Sequence, residues 1–118
     1  MATQTIYQLM DDVFTYADIP GRLNEWRVTV EEPDLPAIFA VYVNTEKSGD
    51  FFADDVPVVT RYELNVHVWG TTDITAKVEA LIDALRHYDF DVLRSADIPD
   101  TAGSEYIYHN KIEVVRWE

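Results

Sequence analysis

Between Val58 and Leu85, in the stretch VVTRYELNVHVWGTTDITAKVEALIDAL, the period of apolar positions changes once and cleanly. From Val58 to Trp69 it is two: Val58, Thr60, Tyr62, Leu64, Val66 and Val68 fall on one face, and Val59, Arg61, Glu63, Asn65, His67 and Trp69 on the other. That alternation predicts a half-buried strand. After Gly70, Ile74, Val78, Leu81, Ile82 and Leu85 recur at helical spacing, with Thr72 or Asp73 placed to cap the helix and Arg86 near its end. The turn is short. The helix is therefore expected to fold back and lay its Val78, Leu81, Ile82, Leu85 stripe on the Tyr62, Leu64, Val66 stripe.

The rest of the chain supplies partners for this pair. Ile6, Leu9, Met10, Val13 and Phe14 predict an amphipathic helix from Thr3 to about Tyr16, capped by Thr3 or Thr5 and broken by Asp18, Pro20 and Gly21. Trp26, Val28 and Val30 alternate with Arg27 and Thr29 in a short strand stopped by Glu31, Glu32, Pro33 and Pro36. Ala37 to Val43 is continuously apolar and reads as a central strand covered on both faces. Asn44 to Pro57, NTEKSGDFFADDVP, is rich in turn formers and reads as a long loop or hairpin tip. Phe51 and Phe52 among Asp50, Asp54 and Asp55 read either as one ring tucked under the loop beside one partly exposed or, the favoured reading, as a contact loop, since exposed aromatics anchor protein interfaces. Its acids lack the spacing of a calcium loop. Phe90 and Val92 predict a short strand, Ser95 to Gly103 a loop, and Tyr106 to Trp117 a final strand whose alternation slips near Asn110 and Lys111, as a bulge there or burial of both faces in an assembly would make it. The order predicts one domain over residues 1–118, an α+β fold with an antiparallel or mixed sheet of about four to five strands and two helices packed on one face.

Composition narrows the function. The 118 residues are 47% hydrophobic, enough for one core, and the longest apolar run, Pro36 to Val43, is far too short to cross a bilayer. The opening MATQTIYQLMDD lacks the basic and apolar regions of a signal peptide, and the absence of cysteine fits a reducing cytoplasm. With 22 acidic and nine basic residues the net charge is −13, so direct binding to nucleic acid or to an anionic membrane is not expected. Acidic chains serve near nucleic acid in two other ways: they imitate it, or they line a passage through which it slides.

No catalytic, cofactor or metal site is expected. His67, His87 and His109 are far apart in sequence, without metal-ligand spacing, and the chain has no phosphate loop or nucleophile elbow. Adjacent carboxylates (Asp11 and Asp12, Glu31 and Glu32, Asp54 and Asp55) diverge on any regular element and read as solvated charge. Trp26, Trp69 and Trp117 read as core or interface residues. An enzyme is not expected.

Four features carry a resemblance over nearly the whole chain: a first helix headed TIYQLM; the strand PAIFAVYV leading to FFADD; RYELNVHVWGTTD followed at once by a helix; and a closing YIYHNKIEVVRWE. In these the chain resembles the small tail-completion proteins of long-tailed (siphovirus-type) phages and prophages, the tail terminator and head-tail joining group. The resemblance implies a non-enzymatic virion protein at the tail-head junction, assembled in the host cytoplasm. It further implies a homo-oligomeric ring, commonly a hexamer, that caps the tail tube protein and meets the head connector or stopper protein, with no cofactor. It makes Phe51, Phe52, Asp54 and Asp55 the interaction loop, and the face of Arg61, Glu63, Asn65 and His67 a subunit interface or lumen wall. The alternative reading is a small acidic DNA mimic that inhibits a host nucleic-acid enzyme, although its acids are spread along the chain. A ligand-binding regulatory module is a third class, for which the sequence shows no convergent polar groups.

Overall fold

The computed structural model describes residues 5–24, 35–53, 56–98 and 106–117, with the backbone alone over 46–53 and 56–59. Helix α1 spans Ile6–Ala17, starting where Thr5 forms a reciprocal capping box with Gln8: the Gln8 N–H donates to Thr5 Oγ1 at 3.2 Å and the Thr5 N–H to Gln8 Oε1 at 2.9 Å. It stops at Asp18, whose φ of 55° turns the chain while its N–H closes on the Phe14 and Thr15 carbonyls. The three-residue strand β1, Gly21–Leu23, follows. Gly21 lies against the Phe14 ring, where a Cβ would collide with the ring atoms.

Strand β2, Ile38–Ala53, turns directly into β3, Val56–Gly70. Helix α2, Thr75–His87, leads to β4, Asp91–Asp97, and β5, Tyr108–Trp117. The sheet order is β1-β2-β3-β5-β4, with β1 parallel to β2 and every other pairing antiparallel. The fold is thus α+β, with two helices and a five-stranded mixed sheet among the described residues. Ile6, Leu9, Met10 and Val13 of α1 join Val78, Leu81 and Leu85 of α2 in one core with Tyr42, Leu64, Val66, Val68, Ile112 and Val114 of the sheet. Burial of these side chains is the main stabilising term.

The two stripes expected to meet are buried in the same core, with Ile82 and Tyr62 partly buried against it. Phe39, Ala40, Val41 and Tyr42 are buried in succession, as a strand covered on both faces requires. Asp73 caps α2 from one position before the helical boundary, its Oδ1 accepting from the Thr75 N–H at 2.9 Å and the Thr75 hydroxyl at 2.6 Å. The expected strand at Trp26 to Val30 lies outside the described residues.

Three expectations are corrected. Of the two readings of Asn44 to Pro57, the long loop is overturned and the hairpin end is what forms: β2 runs to Ala53 and β3 begins at Val56, with Gly49 opposite Thr60 and Phe52 opposite Pro57. Backbone pairing with a continuous partner strand overrides the turn-forming composition. Ser95 to Gly103 is not wholly loop either, since Ser95, Ala96 and Asp97 complete β4. No bulge interrupts β5 at Asn110 and Lys111, which pair in unbroken register with Val68 and His67. Asn110 sits at an inward position and is buried; the register shifts fall instead between Asn44 and Glu46 and between Val92 and Arg94.

Candidate interaction face and ribbon

Strand alternation brings Arg61, Glu63, Asn65, His67 and Trp69 to the sheet face opposite the helices, because Leu64, Val66 and Val68 turn into the core. The β5 register adds Trp117 opposite Arg61, Glu113 opposite Asn65, Lys111 opposite His67 and His109 opposite Trp69. The charges on this face are paired within it. Arg61 and Glu63 form an ion pair, Lys111 Nζ lies 3.4 Å from Glu113 Oε1, and the Arg61 guanidinium lies 5.6 Å from the centre of the Trp117 ring. Thr45, Glu63, Asn65, Leu93 and Glu113 line a shallow groove of about 230 Å³ across the four longer strands.

At the end of the face nearest Gly70 the side chains are aromatic. Phe39 stacks on Trp69 with centroids 5.5 Å apart, and Tyr106 meets Phe39 edge-on at 5.4 Å. The Tyr106 hydroxyl donates to the Pro36 carbonyl at 2.8 Å, tying the approach to β5 to the approach to β2. Trp69 also stacks on His109 at 4.5 Å, and His67 Nδ1 lies 2.8 Å from His109 Nε2. The two histidines, 42 positions apart, are thus brought together by the β3–β5 register. Burial holds His67 below its ordinary pKa, and His109 and Lys111 add to the effect. His87 lies apart from them, in the last turn of α2, stacked on Tyr16. No group of three or more His, Cys, Asp or Glu able to hold a metal occurs among the described residues.

At the other end the described part of the sheet narrows to two strands. The pairing of β5 with β3 ends at Arg61, and that of β1 with β2 ends at Tyr42. Beyond Arg61, Gly49–Ala53 and Val56–Thr60 continue as a ribbon in which, among the described residues, each strand pairs only with the other. Five residues of strand extend about 17 Å, and the molecule measures 53 Å along its longest axis against 31 and 24 Å. Phe51 and Phe52 lie on the β2 side of this ribbon. Asp54 and Asp55, between the two strands in sequence, lie outside the described residues. Sequence reasoning missed the regular strand pairing of Gly49–Ala53 with Val56–Thr60 and the histidine pair.

No helix among the described residues is long and apolar enough to cross a membrane. Compared with protein-family models and with curated proteins, the chain matches none.

Proposed function

We propose that this chain is a non-enzymatic tail-completion protein of a long-tailed phage or prophage, either a tail terminator or a head-tail joining protein. It forms a homo-oligomeric ring that caps the tail tube and connects it to the head. The observation that carries the reading is the β2–β3 ribbon, which among the described residues runs past the pairing of β1 and of β5. A two-stranded ribbon whose strands pair, among the described residues, only with each other is marginal in water, so it gains most when a further strand or another chain pairs with it or packs on it. A second copy of the chain and the tail-tube protein are the partners this reading assigns to it.

The paired charges of the sheet face fit a subunit contact better than a channel wall. Arg61 with Glu63, and Lys111 with Glu113, leave little net charge to repel a like surface. The chain's overall charge of −13 suits a passage that DNA crosses without adhering.

The test is electron microscopy of purified tail tubes incubated with the protein. The reading expects a ring at one end of each tube. It also expects that ring to disappear when residues 49–60 are replaced by an Asn-Gly turn closing on Ser48 and Arg61. Bare tubes with the intact chain would remove the reading.

A further inference from the structure

We propose that His67 and His109 form a proton-operated clasp between β3 and β5, closed while one of the facing nitrogens carries a proton and the other does not, and opened when both carry protons. The geometry is specific. The facing nitrogens are 2.8 Å apart and the ring centroids 5.1 Å apart, so the rings meet end-on through those atoms rather than side by side. A metal bound by both would sit about 2.0–2.1 Å from each nitrogen and does not fit on a 2.8 Å line. A proton does fit.

Three states follow from the chemistry of imidazole. With both rings neutral, one N–H donates and the other nitrogen accepts. One added proton leaves the contact intact, now as a charge-assisted bond between imidazolium and imidazole. A second puts N–H groups on both facing nitrogens and two like charges in contact, so the rings must part. Such a pair titrates in two coupled steps.

The surroundings oppose the second proton. Lys111, opposite His67 on β5, is a further cation, and its partner Glu113 lies one rung beyond it on the same face. On β4, Arg94 pairs opposite Glu113 and uncharged Ala96 opposite Lys111. From β2 the neighbours are Phe39 and Val41, without charge, and along β3 the next charged groups are Glu63 and Arg61, already joined to each other. Opening disturbs the aromatic stack, because Trp69 lies parallel to both imidazoles, at 18° to His67 and 20° to His109, and carries Phe39 on its other contact. The clasp is independent of any ring and acts within one chain.

The test is a proton NMR titration of the imidazole signals with tryptophan fluorescence recorded alongside. In the wild-type chain, His67 and His109 are expected to titrate together in two steps. The lower step should lie below the ordinary histidine value of 6.5, with a fluorescence change at that step that Trp69→Phe removes. In His109→Gln the lower step should vanish and His67 should titrate once, closer to 6.5. Two independent single-step curves near 6.5 in the wild-type chain would overturn the clasp, and this readout depends on no variant folding. An unchanged His67 curve in folded His109→Gln would also overturn it.

Discussion

Asn110 and Asp97 face each other across the β4–β5 register, and the buried Asn110 amide donates from Nδ2 to Asp97 Oδ1 at 2.9 Å. Ser95 completes the arrangement, its hydroxyl donating to Asn110 Oδ1 at 3.0 Å. The interruption in the apolar pattern of β5 is thus a polar residue facing inward with both ends of its amide satisfied, which removes the cost of burying it.

Asn110→Asp should therefore destabilise the fold by about 1–3 kcal/mol, because it replaces a donor by a carboxylate facing Asp97 in a partly buried site. Urea denaturation at pH 7 measures the loss. Repeating it at pH 4, where a carboxylate so placed is substantially protonated, should recover part of the difference from wild type.

Gly70 ends β3 where the chain must turn at once into α2, and a Cβ there would meet Ile74 Cγ2, with the Thr72 carbonyl oxygen 3.0 Å away and Ile38 Cγ1 3.3 Å away. Gly70→Ala should cost about 1–3 kcal/mol through this overpacking. The check is a lowered denaturation midpoint with an unchanged urea dependence.

Leu81 and Leu85 are fully buried where α2 meets the sheet. Leu81→Ala should destabilise by about 2–5 kcal/mol. Thr5→Ala, which removes only the cap of α1, should cost about 1 kcal/mol. Thermal melts of the two variants should rank in that order.

His67 makes stability fall on the acid side. Its folded-state pKa is depressed, so the unfolded chain takes up a proton first as pH drops below about 6.5. The contribution is present above that value and is lost as pH falls through the folded-state pKa. Asp73 adds a later loss, since hydrogen bonds from the Thr75 hydroxyl and N–H hold its carboxyl below its ordinary value of 3.8. Denaturation midpoints between pH 7 and 4.5 should decline in the wild-type chain and decline less in His67→Gln.

The strands and helices that bury a regular stripe were legible in the sequence, because periods of two and 3.6 are direct consequences of which face meets the core. Val78, Leu81 and Leu85 over Leu64 and Val66 followed from spacing alone. The ribbon was not legible, since Lys47, Ser48, Gly49 and Asp50 have turn chemistry, and their pairing with Tyr62, Arg61, Thr60 and Val59 is decided by the neighbouring strand. Asn110 was misread for a related reason: one inward polar residue looks like a slip in register until its partners on β4 are seen. The meeting of His67 with His109 depends on the β3–β5 register, which no local pattern encodes.

The mass of the purified protein, determined by light scattering over a concentration series alone and then with tail-tube protein, tests the assembly proposal. Tail completion requires a closed oligomer, or a shift from monomer to one defined larger complex when the tube protein is added, lost on replacement of residues 49–60. A chain that stays monomeric at every concentration and is indifferent to the tube protein would contradict it, and would turn attention to basic host enzymes as the partners of an acidic inhibitor.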